Sequence, residues 1–358
     1  MSKEHKSVNL RKITESKLFF PLLTLAIILL MDLIIIPNFF AIQVRDGNLY
    51  GSLIDILRNA SPVMILAIGM TLVIATGGVD LSVGAVMAIA ASVAAIMMNP
   101  VIIGLELPPD LMKFINDPYF TYSPLWQVIT VTLIVTTICG LWNGLLVAYI
   151  RIQPMVATLI LMIAGRGIAQ LITNGVRIQI FYEPYAFLGQ GWIILPFSLY
   201  LVAILYTTTW LFTRRTAIGL FIESVGINFR SSFYSGINEK RIKMLVYAFS
   251  GFCAGLAGLV ASSNIKTSDA HNIGIGLELD AILAVIIGGT LMSGGRFSLL
   301  ASLIGAVVIQ AITTSMYAVG VPAFALQAIK GVFVIIMILL YSEQARNFVR
   351  KLSAPKGA

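Results

Sequence analysis

Long uncharged runs dominate this chain. Between Leu18 and Tyr341 it offers ten predominantly apolar stretches, near 18–40, 54–76, 80–98, 125–149, 154–173, 192–212, 244–263, 280–295, 297–318 and 322–341. About 20 such residues form a helix long enough to cross the hydrocarbon layer of a bilayer. Inside that layer only helices and closed barrels satisfy their own backbone. The third and eighth stretches are short, and each follows a break rich in Gly and acid. Of the 358 residues, 58% are hydrophobic and 11% charged, against roughly 45–50% and about 25% in a soluble domain. A soluble enzyme, a nucleic-acid binder and a disordered chain are excluded on that ground. The expected fold is an all-α integral membrane protein, a polytopic helical bundle of about ten membrane segments.

The distribution of charge predicts its orientation. With the N-terminus inside and ten crossings, seventeen of the 24 Lys and Arg fall on the cytoplasmic side and five on the other. That asymmetry follows the positive-inside rule, which puts both termini in the cytoplasm. It also accounts for the net charge of +8 without nucleic acid. The expected organisation is a basic cytoplasmic tail (1–17), a membrane domain (18–341) and a second cytoplasmic tail (342–358). Two connections are long: an outer loop at 99–124 with five prolines, and an inner loop at 213–243 with six basic and two acidic residues. The inner loop predicts two short helices, Ala217 to Val225 ending near Gly226, and Phe229 to Tyr234 ending at Gly236. Such a pair on the cytoplasmic face is a docking shape.

Enzymatic motifs are missing. The sequence has no GxxxxGK[ST] phosphate loop, HExxH, GxSxG or CxxC, so ATP hydrolysis through a P-loop of its own is excluded. Cys139 and Cys253 lie in apolar runs, and His5 and His271 are too few for a histidine metal centre. No catalytic residue and no metal ligand is expected.

Polar groups at membrane depth carry the functional signal. TGGVDLSVG (76–84) interrupts an apolar stretch: Gly77 and Gly78 break the helix, and Asp80 is placed to cap the next one, with Ser82 in its first turn. GIGLELDAI (274–282) puts Glu278 and Asp280 at the start of the eighth segment. Arg166, about 12 residues into the fifth segment and flanked by Gly165 and Gly167, is costly there unless it faces a cavity or a partner. Asp80, Ser82, Arg166, Glu278 and Asp280 are therefore the candidate pathway residues. Simple capping is an equally good account of Asp80. Lys330, in the last segment, is expected to snorkel outward. Gly251, Gly255 and Gly258 on one helix, and Gly140 and Gly144 on another, predict close helix packing. VDLSVGAVMAIA (79–90) and LDAILAVIIGGT (279–290) are the third members of two sets of five segments. That pattern predicts two inverted repeats with broken helices, as in transporters.

Three stretches carry a resemblance: TGGVDLSVG, the loop ending in GIN, and ELDAILAVIIGGTLMSGGR. Together they resemble the permease subunits of ATP-binding-cassette importers for ribose, xylose, galactose and related sugars, over roughly residues 50–340. Within that family the resemblance is strongest to its enterobacterial galactofuranose branch. Ile227-Asn228 stands where many relatives carry Gly-Asn, and Gly294-Gly295-Arg296-Phe297-Ser298 where many carry GGRGS; both departures are shared with that branch. FRSSFYSGIN lacks the Ala-Ala step usual in relatives. The resemblance implies a second, distinct permease subunit, a cytoplasmic ATPase and a periplasmic or lipid-tethered sugar-binding protein. It implies no cofactor on this chain; ATP and Mg would serve the partner ATPase. It also implies that the inner loop is the coupling element, with Arg214, Arg215, Glu223, Gly226, Asn228, Arg230, Gly236 and Asn238 as its residues. A secondary transporter driven by an ion gradient would use the same broken helices and buried charges. An intramembrane enzyme would need a catalytic pair, and none has credible spacing.

Overall fold

The computed structural model describes residues 18–36, 39–45, 47–99 and 123–341. The two predicted tails and most of the 99–124 loop lie outside the described residues. Thirteen helices occupy the rest: α1 (Phe19–Ile35), α2 (Ser52–Ala75), α3 (Val83–Met98), α4 (Leu125–Ala148), α5 (Pro154–Ile172), α6 (Glu183–Gln190), α7 (Phe197–Arg215), α8 (Ala217–Ile227), α9 (Phe229–Tyr234), α10 (Glu239–Ile265), α11 (Leu277–Ile287), α12 (Leu299–Ala318) and α13 (Ala323–Tyr341). Helices α2, α4, α5, α10 and α12 are long and apolar enough to cross a membrane. At 1.5 Å per residue the 24 residues of α2 span about 36 Å, more than the hydrocarbon thickness.

Helix α2 is the axis of the bundle. Every residue from Ala60 to Ala75 is buried, as expected of a helix that is apolar all round. Helices α10, α11 and α12 pack beside it, and α3 contributes Val83, Val86 and Met87 to the same hydrophobic cluster. The outer helices α4, α5 and α7 turn apolar side chains such as Ile138, Ile163 and Ile204 outward, which suits a lipid environment. The predicted glycine faces meet: Gly140 lies against Gly251 and the Tyr247 carbonyl, Gly144 against Met244, and Gly255 against Thr136. A Cβ at Gly140, Gly251 or Gly255 would collide with the facing helix, so α4 and α10 approach as closely as small residues allow. Gly258 makes the same kind of contact with Met87 on α3.

The eighth predicted stretch, 280–295, is helical only as far as Ile287. Gly288–Ser298 instead forms an irregular turn with left-handed backbone at Gly289, Gly294 and Gly295 (φ 77°, 89° and 101°), which an L side chain resists and glycine accepts. The first turn of α3 also starts three residues after Asp80 rather than at it. Both broken segments are therefore shortened helices, of 16 and 11 residues, beside irregular backbone.

The connections sort to the two ends of the bundle. At one end the turns 76–82, 149–153 and 288–298 gather around α8 and α9. At the other lie the small antiparallel pairs β1 (Gln43–Arg45) with β2 (Asn48–Tyr50), β3 (Ile178–Gln179) with β6 (Thr267–Ser268), and β4 (Trp192–Ile193) with β5 (Leu195–Pro196). Side chains lock that second end: Arg58 donates to Asn264, and Lys266 pairs with Glu183 at 2.9 Å.

Candidate functional site: two broken helices and a coupling platform

The turn after α2 is tied by Asp80. This carboxylate is buried at 1% exposure. Its Oδ1 accepts from the Ser82 backbone N–H (3.0 Å), the Ser82 hydroxyl (2.6 Å) and Asn143 Nδ2 (3.5 Å), while Oδ2 accepts from the Ser250 hydroxyl (2.8 Å). Asn143 Nδ2 also donates to Ser82 Oγ at 2.8 Å. The Tyr247 hydroxyl donates to the Val79 carbonyl, and the Leu81 N–H donates to Thr158 Oγ1. The broken segment is thus stitched to α4, α5 and α10 at once. Asp80 is not the N-cap of α3: the N–H it holds is two residues along, in an Asx turn that precedes the helix. Asp80 and Ser82 are structural ties in this conformation, with no cation among the described residues bonded to the carboxylate.

The second broken segment meets the first end to end. The loop before α11 is turned by Gly274 and Gly276, both left-handed (φ 78° and 80°). A Cβ on Gly84 would collide with Glu278 Oε2 and the Gly274 carbonyl, and one on Gly274 would collide with the Gly84 carbonyl. The N-terminal ends of α3 and α11 therefore touch, and their positive dipole ends converge where the Glu278 carboxylate sits. Glu278 Oε1 accepts from the Gly276 N–H at 3.3 Å. Arg166 Nη1 donates to the Ala270 and Ile273 carbonyls at 3.1 and 2.5 Å. Arg166 thus holds the 269–276 loop by its backbone rather than by an ion pair. Asp269, outside the long helices, is pushed up by burial. Hydrogen bonds from Asn272 and Arg177 outweigh that and hold it below the ordinary carboxylate value.

Asp280 stands apart from Glu278 although both belong to the first turn of α11. It pairs with Lys330 of α13 at 2.8 Å, both side chains being largely buried. The expectation that Lys330 snorkels outward is overturned: a carboxylate lies within reach, and a buried ammonium takes a partner before it reaches for water. The five pathway candidates thus divide three ways. Asp80 with Ser82 form one knot, Arg166 and Glu278 each bond backbone of the 269–276 loop, and Asp280 joins Lys330.

The 213–243 segment forms the predicted helix pair. Each member, and the start of α10 after it, is capped by a polar side chain: Thr216 Oγ1 accepts from the Ile218 N–H, Asn228 Oδ1 from the Arg230 and Ser231 N–H groups (3.0 and 3.1 Å), and, for α10, Asn238 Oδ1 from the Arg241 N–H. Asn228 and Asn238 therefore hold the corners of the platform. Gly236 is left-handed (φ 82°) and turns the chain out of α9. Gly226 does not end α8, which continues to Ile227. Its Cα instead presses on the end of α2, where a Cβ would collide with the Ala75 carbonyl and the Gly295 N–H. That N–H itself donates to the Ala75 carbonyl at 2.8 Å. Backbone from α8, from the end of α2 and from the turn after α11 meets at this one junction. Arg214, Arg215 and Arg230 are exposed beside it, and Glu223 is half-buried.

Ala75, Gly84, Asn143, Ser250 and Gly274 complete these sites and are not singled out by the sequence reading. Asn143 and Ser250, polar residues within apolar runs, were the available signal.

The relatives identify the architecture. Residues 52–342 match a family described as "Branched-chain amino acid transport system / permease component". The galactofuranose transporter permease protein YtfT of Escherichia coli K12 is 44% identical over 331 residues, 92% of this chain and 91% of that protein. The fructose import permease protein FruF of Bifidobacterium longum is 36% identical, over 94% and 91% of the two chains. The ribose import permease protein RbsC of Haemophilus influenzae is 31% identical, over 92% and 93%. The chain belongs to the permease family of ABC sugar importers. No solved structure matches it. The permease is a multi-pass protein of the inner membrane, and its task is translocation.

Proposed function

We propose that this permease forms half of the membrane channel of an ATP-driven importer whose sugar is galactofuranose. The single observation that carries the sugar is the 44% identity to the galactofuranose permease across 92% of the chain. Its ten segments span the membrane as two inverted sets of five, with the 1–17 and 342–358 tails and the platform in the cytoplasm and the 99–124 loop outside. A second, homologous permease completes the channel, and a periplasmic or lipid-tethered binding protein delivers the sugar. Cytoplasmic ATPase subunits hydrolyse MgATP and grip the 213–243 platform. Their stroke reaches the bundle at Gly226, which touches the end of α2 and the turn after α11 together. Both broken segments are thereby moved by one lever, and the bundle rocks between its inward- and outward-open states. Asp80 keeps the first broken segment rigid as it moves, and Arg166 and Glu278 keep the second in register with it. The sugar passes chemically unchanged.

Uptake of labelled galactofuranose tests the substrate. Cells lacking the chain, and any redundant system, should lose it and regain it on complementation; undiminished uptake refutes the assignment. Charge reversal at Arg214 and Arg230 should leave membrane insertion intact and lower the ATPase activity coupled to transport.

A further inference from the structure

The platform itself lines a cavity of about 840 Å³. One wall is α9 and the start of α10, with Phe233, Gly236 and Asn238. The other is the turn between α4 and α5, some 80 residues upstream, which contributes Arg151. Arg151 is exposed, and its backbone is left-handed (φ 63°). Three cations, Arg151, Arg230 and Lys240, surround the space against one acid, Glu239. Aromatic rings complete it: Phe233 is 67% and Tyr234 88% exposed. Lys240 lies over the Tyr149 ring at 5.4 Å, which ties the two walls together.

We infer that this groove receives an acidic segment of the partner ATPase, and that Arg151 is therefore a docking residue outside the 213–243 loop. The inference rests on the platform being the ATPase's grip. Three lines of argument favour a protein segment. The volume lies within the range of clefts that enclose a compact ligand rather than a single ion, and so suits a turn carrying a few side chains. The excess of positive charge calls for carboxylates, and Arg presents a fork that matches them. Aromatic side chains left standing in a charged surface are the residues that anchor protein interfaces once covered. The groove is also continuous with the proposed coupling surface, since α9 and the start of α10 serve both.

The test uses the assembled complex, purified from membranes through a tag on this permease, with the ATPase identified by mass spectrometry and quantified. Arg151→Glu should lower the ATPase retained about tenfold, and Arg151→Gln less. Raising salt from about 50 to about 500 mM should strip the ATPase from the unaltered complex more than from Arg151→Gln. A photo-crosslinking amino acid at Phe233 should attach to an ATPase peptide rich in Asp and Glu. Full retention in Arg151→Glu, with crosslinks to phosphatidylglycerol instead, overturns the inference and assigns the groove to anionic lipid. Leu220→Asp, on the exposed face of α8 outside the groove, separates the two failures. If it releases the ATPase while Arg151→Glu does not, only the groove is wrong. If neither variant releases it, the platform itself is not the grip.

Discussion

Replacing Asp80 by Asn and by Leu separates a tie from a bystander. In the folded permease this carboxylate accepts one backbone and three side-chain donors with 1% exposure. Asn keeps Oδ1, which holds Ser82 and Asn143. Its Nδ2 faces Ser250, whose hydroxyl can rotate to accept. What is lost is the charge assistance on bonds that are worth about 1.5–3 kcal/mol when charged and about 0.5–1.5 when neutral. Over four bonds that loss is about 4–6 kcal/mol, and no longer having to bury a full charge offsets much of it, so the net cost of Asp80→Asn is about 1–3 kcal/mol. Leu satisfies none of the donors. Each buried donor left unpaired costs about 1–3 kcal/mol, and the two hydroxyls can rescue themselves on nearby carbonyls. Two donors, the Ser82 N–H and Asn143 Nδ2, are then left, and Asp80→Leu is expected to cost roughly 2–6 kcal/mol, a large part of a typical folding free energy. The assay is thermal unfolding of the detergent-solubilised permease followed by gel filtration, with sugar uptake measured beside it. Asn should melt modestly lower and transport partially; Leu should melt far lower and not transport. Equal melting and equal transport in the two variants would refute the account of Asp80 as a hydrogen-bonded knot.

Other expectations follow from the same geometry. Gly226→Ala drives a methyl into the Ala75 carbonyl, an overpacking worth about 1–3 kcal/mol. The variant should insert and bind the ATPase but hydrolyse ATP without moving sugar, read as the ratio of ATP consumed to sugar imported. Lys330→Met strands Asp280 and should destabilise by about 3 kcal/mol or more, while Lys330→Met with Asp280→Leu should recover much of that loss in a melting assay. Asp269 is held below its ordinary value of 3.8. Its contribution is therefore present above that pH and disappears as pH falls through the folded value. Asp269→Asn should melt lower than the unaltered chain at pH 7, and the gap should close in a melting series toward pH 3.

Architecture was more legible in the sequence than contact. The apolar runs announced the bundle, and the glycines of α4 and α10 announced a close crossing that Gly140 and Gly251 do make. Asn228 and Asn238 are legible as positions of a motif, and the structure supplies the reason: Asn228 caps the short helix α9 and Asn238 caps the start of the long helix α10. The length of α11 was not legible, because Leu291 and Met292 continue the apolar run after the backbone has already turned at Gly289. Hydropathy records what a residue avoids and not the φ it must adopt. The Lys330 pairing is hidden from the sequence for a related reason. Its pairing depends on α13 lying beside α11, a tertiary fact with no trace in the spacing of 50 residues between Asp280 and Lys330. Gly226 shows the same limit: it reads as a helix end, yet its role is to let α8 touch the carbonyl of Ala75.

The central claim is that power for transport enters from a partner at the 213–243 face. Reconstitution in liposomes tests it most directly, comparing the permease alone with the permease assembled with its partner permease, ATPase and binding protein. Sugar should accumulate only in the assembled complex, only with MgATP inside the compartment that faces the platform, and independently of any ion gradient. Accumulation by the lone permease under a proton or sodium gradient would contradict the account.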